Sequence, residues 1–453
     1  MAKKRFLKLT TTQLILLSFL LAILIGSVLL ALPISSANGQ AVSYTDALFT
    51  STTSVCVTGL VTLPTVTTWS AFGQTVILGL IQIGGLGIIT IMSMLMILLQ
   101  KKMGLSDRIL LQDAFNLNSI SGVVKFVKKV IKGTFIVEGI GALLYMIVFV
   151  PDFGLKGIWI SVFNSVSAFC NAGIDIISEN SLCDYATHPV VNFVTCTLII
   201  LGGIGFIVWW DVLDCLKKFK KQKFKCLKML TLHSKIALFM TAFLLVSGAV
   251  FFFVLEYNNP LTMGSYSIFD KIQLSAFQSV TTRTAGFATI PQQNLTDASS
   301  LVSLLLMFIG GSPVGTAGGI KTVTIAVLLA TARSAVKNKN EINIFGRTLS
   351  KQVVGKSVGV VCMSFVTVFV STLLLSAVSD FALPDVMYES VSATATVGLS
   401  RNLTPMLDFW GKIIIIVTMY FGRVGPISFA VLFGLKRKNE NIIKNPTEDV
   451  SVG

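Results

Sequence analysis

Long apolar stretches separated by polar, basic segments run along the chain at 14–32, 75–99, 131–150, 190–213, 236–255, 300–310, 321–334, 357–378 and 411–434. A bilayer-crossing helix needs about 20 mostly apolar residues, and most of these stretches have that length. The sixth and seventh fall short. Between them lies Gly310-Gly311-Ser312-Pro313-Val314-Gly315-Thr316-Ala317-Gly318-Gly319, so they read as one broken span. Eight spans result. The first has the basic lead of a secretory leader in Lys3, Lys4 and Arg5, but its apolar core outruns the usual 7–15 residues or so, and it is kept as a span.

Shorter, mildly apolar segments near 45–54, 158–169, 268–280 and 385–393 lie between the spans of successive pairs. They are too short to cross and fit re-entrant half-helices. Each runs into a loop of small residues: Val57-Thr58-Gly59, Asn171-Ala172-Gly173, Thr284-Ala285-Gly286 and Thr396-Val397-Gly398, whose glycines stand 114, 113 and 112 residues apart. A second glycine-rich segment follows each loop inside the next span, at Gly84-Gly85, Gly202-Gly203, Gly310-Gly311 and Gly422. The expected fold is therefore all-α and integral to the membrane. Four pseudo-symmetric repeats of span, pore half-helix, glycine loop and span surround one central pore. Their boundaries are expected at 1–100, 101–216, 217–337 (with the broken second helix) and 338–453, the last carrying a cytoplasmic tail.

Composition narrows the class. Hydrophobic residues make up 53% of the 453 and charged residues 13%, half the charged share of a soluble domain. A soluble, disordered or collagen-like chain is excluded. The net charge of +15 does not point to nucleic acid, because 30 of the 36 Lys and Arg fall in segments 1–8, 100–132, 217–235, 321–356 and 436–444. Basic loops mark the cytoplasmic side, which places both termini in the cytoplasm. The opposite connections carry Lys156, Lys271, Arg283, Arg401 and Lys412 among an excess of acids, among them Asp46, Asp175, Asp270, Asp385 and Glu389. That acidic outer face concentrates cations at its mouth.

Irregular backbone at membrane depth is tolerated where it is buried in protein or lines a wet path. Four such loops around one axis would present a ring of carbonyls able to replace the hydration shell of a cation. Glycine permits the unusual dihedrals this aim requires. The half-helices would turn their negative C-terminal ends to the same axis, and Asp46, Asp270 and Asp385 suit the positive N-terminal ends of three of them. Each loop holds one glycine followed by a bulky residue (Leu60, Ile174, Phe287, Leu399). A short carbonyl column of this kind predicts looser discrimination between K⁺ and Na⁺ than a full-length potassium-channel filter gives.

The four loops, the broken third-repeat helix and Arg423 in the last span together resemble the Ktr/Trk/HKT superfamily of potassium transporters. The resemblance covers nearly the whole chain and is nearest to the Ktr membrane (KtrB-like) subunit, since the first repeat begins at once. It implies K⁺ uptake across a bacterial plasma membrane, with Na⁺ stimulation, by a homodimer of four-repeat pores embedded in membrane lipid. It also implies a cytosolic ring of RCK-type regulatory subunits that bind ATP or ADP, so that this chain itself carries no covalent cofactor. The implied K⁺ filter comprises Val57, Thr58, Gly59, Asn171, Ala172, Gly173, Thr284, Ala285, Gly286, Thr396, Val397 and Gly398. The implied gate comprises Gly310 to Gly319 and Arg423, a residue that in the family lies below the filter and hinders cations. A charge at mid-membrane costs about 2.5–3.5 kcal/mol, so Arg423 is expected to face the pore or an acidic partner.

Other features carry less. Glu138 lies in an apolar span with Lys132 as a local ion-pair candidate. The basic run 217–225 suits anionic lipid, a partner, or plain anchoring. Gly315–Thr322 imitates a phosphate-binding loop, but Ile320 separates Gly319 from Lys321 and no strand precedes it. Seven scattered cysteines and two histidines make no zinc site or disulfide framework. A tightly coupled Na⁺/K⁺ symporter is the nearest alternative. An intramembrane enzyme lacks paired aspartates, a His-Glu-x-x-His motif or a Ser/His pair at membrane depth.

Overall fold

The structure, a computed structural model, describes residues 11–87, 90, 93, 122–223, 228–339 and 341–425. Its elements are almost all helical. In chain order they are α1 (Thr11–Leu30), α2 (Tyr44–Cys56), α3 (Ala71–Leu86), α4 (Val123–Phe153), α5 (Lys156–Cys170), α6 (Pro189–Gly203), α7 (Phe206–Gln222), α8 (Leu232–Glu256), α9 (Ile268–Thr281), α10 (Asp297–Phe308), α11 (Thr322–Val336), α12 (Lys351–Val378), α13 (Leu383–Ala395) and α14 (Phe409–Val424). A small hairpin, β1 (Asn343–Ile344) and β2 (Arg347–Thr348), links α11 to α12.

Among the described residues four helices, α1, α4, α8 and α12, are long and apolar enough to cross a membrane by themselves. Their outward faces are apolar: Leu21, Leu143, Val246 and Phe365 are all exposed. The interior is rich in hydroxyls, and Ser51, Thr52, Thr53, Ser165, Ser167, Ser279, Thr281, Ser390 and Ser392 are buried. Apolar outside and polar within inverts the soluble pattern and suits a chain solvated by lipid.

Each long helix is followed by a short one, α2, α5, α9 or α13, and the first three are seated by the same device. Ser51 donates to the Ile23 carbonyl (2.7 Å), Ser165 to Glu138 (2.6 Å) and Ser279 to Leu245 (2.8 Å). Three residues on, Gly26, Gly141 and Gly248 leave room for those hydroxyls. In the fourth unit Ser371 of α12 meets Ser390 at 3.4 Å instead. Each short helix carries an aromatic-x-Ser string: Phe49-Thr50-Ser51, Phe163-Asn164-Ser165, Phe277-Gln278-Ser279 and Tyr388-Glu389-Ser390. Asp46, Asp270 and Asp385 lie in first helical turns, where a negative charge meets the positive end of the dipole. Asp46 also pairs with Lys412 of α14 (2.6 Å), tying the last unit to the first.

One expectation is overturned. The stretch 190–213 does not form a continuous span: α6 and α7 bend by 103° at Ile204–Gly205. Gly205 stands at φ +94°, in the left-handed region that breaks a helix and favours glycine. Gly87 (φ +84°) and Gly425 (φ +91°) cap α3 and α14 in the same way. The second unit's second helix is thus interrupted as well as the third's, and those of the first and fourth units meet a left-handed glycine at the corresponding place. The remainders of the stretches 75–99 and 411–434 lie outside the described residues, as do the basic segments 1–8 and 436–444 and most of 100–132.

Candidate functional site: a ring of glycine loops above a clamped strand

Three of the four short helices end on left-handed residues, and the loop after α9 reaches one three residues beyond the helix. Val57, Asn171 and Thr396 are C-caps at φ 54°, 58° and 52°, and Thr284 stands at 66°. Three of these four are β-branched, a side-chain type for which this backbone is strained. Such strain persists only where the surroundings enforce it. Here hydroxyls hold the loops. Thr53 accepts from the Gly59 N–H (2.9 Å), Ser167 from Ile174 (3.2 Å) and Ser392 from Gly398 (3.0 Å), while Thr281 donates to the Phe287 carbonyl (2.6 Å).

The loops meet tip to tip in a closed cycle. A Cβ on Gly59 would come within 2.6 Å of the Ala172 carbonyl oxygen, one on Gly173 within 2.6 Å of Ala285 O, and one on Gly286 within 2.6 Å of Val397 O. A Cβ on Gly398 would collide with Thr58 O, which closes the circle. Each glycine therefore faces the carbonyl that precedes the next unit's glycine, in the order first, second, third, fourth. Val57, Thr58, Asn171, Ala172, Thr284, Ala285, Thr396 and Val397 all lie in this ring and are buried. Four side-chain atoms there, Thr58 Oγ1, Asn171 Nδ2, Thr284 Oγ1 and Thr396 Oγ1, are buried without a hydrogen-bond partner. The three hydroxyl oxygens can accept from water or coordinate a cation, whereas the Asn171 amide nitrogen can only donate. The bulky residues after the glycines, Leu60, Ile174, Phe287 and Leu399, are at most 1% exposed and wall the ring from outside.

Beneath the ring lies a cavity of about 460 Å³, lined by Gly84, Gly87, Gly315, Gly318, Thr394 and Arg423 among others. The irregular segment 310–319, here called the strand, loops into it with its two ends close together, so that a Cβ on Gly310 would strike Gly318 O. Thr316 donates toward the Phe169 carbonyl (3.0 Å) and Asn171 Oδ1 (3.1 Å) of the second unit. Two residues on, Gly318 lies so close to Thr396 and Ala395 of the fourth unit that a Cβ would strike them. The strand thus touches the loops of both the second and the fourth unit.

Protein groups pair much of the strand's backbone. The break between α6 and α7 is its seat: Ser312 N donates to Gly203 O (2.8 Å), Thr316 N to Gly202 O (3.1 Å) and Phe206 N to Val314 O (2.9 Å). A helix end leaves its last carbonyls unpaired, and here the strand takes them. Arg423 is in the last turn of α14, not midway along a continuous helix. Its Nη1 donates to Thr316 O (2.7 Å) and its Nη2 to Gly84 O (2.6 Å). Lys321 donates to Ala317 O (2.7 Å) and Gly318 O (3.2 Å).

Arg283, counted from sequence among the outer connections, is instead folded behind the third loop at 7% exposure, where its Nη2 donates to Gly310 O (3.1 Å). The corresponding places in the first two loops hold Cys56 and Cys170. Glu138 makes no ion pair with Lys132. It accepts from Gln82 Nε2 of α3 (3.3 Å) and lies 3.9 Å from Cys170 Sγ. Sequence reasoning did not find Gly205, Arg283 or Lys321 as parts of this site. The Gly-x-x-Gly spacing shared by Gly84/Gly87, Gly202/Gly205 and Gly422/Gly425 was the available clue. Among the described residues no group of His, Cys, Asp and Glu is placed to hold a metal ion.

Residues 4–444 match the family model of TrkH, a cation transport protein. The chain is 39% identical over its full length to the potassium/sodium uptake protein NtpJ of Enterococcus hirae, covering 99% of that protein. It is also 39% identical to the Ktr system potassium uptake protein B of Bacillus subtilis, over 99% of this chain and 98% of that one. Its fold is similar to the crystal structure of the potassium transporter TrkH from Vibrio parahaemolyticus, with a TM-score of 0.75 at 17% identity over 95% of this chain and 86% of that one.

Proposed function

The chain belongs to the TrkH family of cation transport proteins, a multi-pass membrane transporter rather than an enzyme, and on that premise we propose that it takes up K⁺ through the ring of glycine loops. The observation that carries this reading is the closed cycle in which each loop glycine faces the next unit's carbonyl. Carbonyls so arranged replace the water that a K⁺ ion sheds. Eight spans in four repeats enclose the pore, with both termini in the cytoplasm. The short carbonyl column leaves K⁺/Na⁺ discrimination moderate and admits Na⁺ stimulation, which fits the potassium/sodium wording of the Enterococcus relative's name.

In this reading residues 310–319 and Arg423 are the gate. The strand lies beneath the loop tips, held by three cations and by the broken second unit, and uptake requires it to withdraw. A cytosolic ring of nucleotide-binding subunits acting on a homodimer would supply the work through α11 and the segment that follows it. The experiment is tracer Rb⁺ or K⁺ uptake by proteoliposomes that contain only this chain, against a K⁺ gradient. Flux saturable in K⁺ supports the reading. Its absence, in protein whose fold and orientation are verified, refutes transport by this chain alone.

A further inference from the structure

We propose that the crevice between α8, α11 and the β1–β2 hairpin is a binding site for the headgroup of an anionic phospholipid. It rests on the reading above only for its side of the membrane, the cytoplasmic leaflet. The crevice has a volume of about 490 Å³ and lies far along α11 from the pore cavity. Its floor is apolar, formed by Phe239 of α8, Leu329 of α11 and Phe345 of the hairpin. Its rim is basic, with Arg333, Lys337 and Lys339 around one acid, Glu341. Among the described residues none of the three cations has a carboxylate within ion-pairing distance, Glu341 included. Three converging unpaired cations above an apolar slot match a phosphodiester that carries acyl chains, and they match neither a neutral lipid nor an apolar helix.

The slot is continuous with the lipid-facing surface. Phe239 and Leu329 are each 59% exposed, and Phe243, one turn along α8, stacks on Phe239 at 6.4 Å. The hairpin closes the far wall. Phe345 occupies a left-handed turn position (φ 48°) followed by Gly346 (φ 73°), a costly place for an aromatic residue. That backbone lays its ring edge-on against Phe239 at 6.1 Å. Ser334 fixes the basic turn by donating to the carbonyls of Lys339 (3.0 Å) and Glu341 (2.9 Å). The site is therefore built by two aromatic rings and one buried hydroxyl, where a solvated basic loop would need neither. Because α11 begins directly after the strand 310–319, an occupied crevice also ties the end of that helix to the bilayer.

The test is lipid retention by the purified full chain, measured by native mass spectrometry after transfer from nanodiscs of phosphatidylcholine with 20 mol% or so of phosphatidylglycerol. Wild type is expected to keep phosphatidylglycerol in preference to phosphatidylcholine. The variant Arg333→Gln/Lys337→Gln/Lys339→Gln should keep it about tenfold less, and Leu329→Trp, which fills the slot and leaves the charges, should also lose it. Lys125→Gln/Lys128→Gln/Lys132→Gln, an equal loss of exposed basic charge at the start of α4, should leave retention unchanged. Circular dichroism and size-exclusion profiles establish that each variant is folded. Displacement of the lipid by millimolar inorganic phosphate would instead assign the cations to a soluble anion and overturn the proposal. So would equal retention by the triple variant and wild type, or a triple variant that changes oligomeric state while lipid retention stays the same.

Discussion

Replacing Arg423 separates two ways in which it could oppose cation flow. Arg423→Ala deletes two charge-assisted hydrogen bonds, at 2.7 Å to Thr316 O and 2.6 Å to Gly84 O. Bonds to a charged group contribute about 1.5–3 kcal/mol each, so their gross loss is roughly 3–6 kcal/mol. Gly84 and Arg423 line a cavity of about 460 Å³ that also reaches Gly315 and Ala317 on either side of Thr316, roomy enough for water to take the vacated places. The net cost to the strand's seated position is then about 1–2 kcal/mol, which shifts a two-position equilibrium by a factor of roughly 5–30. Arg423→Ala should accordingly raise maximal Rb⁺ or K⁺ uptake severalfold, with a smaller change in K⁺ affinity. Arg423→Lys distinguishes the causes. Lysine keeps the charge but not the planar fork that reaches two carbonyls at once. If the residue acts by clamping the strand, Arg423→Lys behaves like Arg423→Ala; if it acts only by repelling cations, Arg423→Lys behaves like wild type. The assay is initial-rate uptake in proteoliposomes, normalised to folded protein. Unchanged or lower flux in well-folded Arg423→Ala would refute both mechanisms and leave a purely structural arginine.

Gly398→Ala should cost the most selectivity of the four loop glycines, because its new Cβ strikes Thr58 O where the other three would have about 2.6 Å; competitive Na⁺ and K⁺ uptake measures the ratio, and an unaltered ratio would remove this loop from the filter. Gly205→Ala places a side chain at φ +94° beside Pro313 O, at a backbone cost of roughly 1–2 kcal/mol; it should loosen the strand's seat and raise basal flux without altering K⁺/Na⁺ preference. Deleting 312–317 should give high K⁺ flux that no longer responds to the cytosolic partner or its nucleotide, and a folded deletion variant with undiminished dependence would end the gating proposal.

The short helices and glycine loops were legible because two independent patterns coincide: apolar segments too short to cross, and glycines repeating at near-constant spacing. Arg423 was legible because a charge inside an apolar run is costly enough to need a reason. The bend at Gly205 was not, since Leu201-Gly202-Gly203-Ile204-Gly205-Phe206 is uniformly apolar and hydropathy records no dihedral angle. Arg283 was assigned to the outer side because charge counting treats a connection as one place, whereas this connection dips to membrane depth and returns. The Lys132–Glu138 pairing fails for a geometric reason. Residues six apart on a helix point to different faces, unlike those three or four apart, and Glu138 turns inward to Gln82.

The third unit departs from its neighbours at each point where the strand is held. Its loop carries Arg283 where the first two carry Cys56 and Cys170, and Pro313 replaces the glycine found at Gly87, Gly205 and Gly425. Broken helices leave terminal carbonyls that need donors, and a permanent cap would make each break inert. Here the donors for Gly84, Gly202, Gly203 and Gly310 are Arg423, two N–H groups of the strand itself, and Arg283. Two of these four bonds come from the strand and must part if it moves, and a third comes from the arginine that also grips Thr316 O. The bond from Arg283 holds the strand's own first residue, Gly310, to the third loop. These helix ends thus provide the strand's docking sites, and under the gating proposal the changes confined to the third repeat are what would free one element of a nearly fourfold scaffold to move.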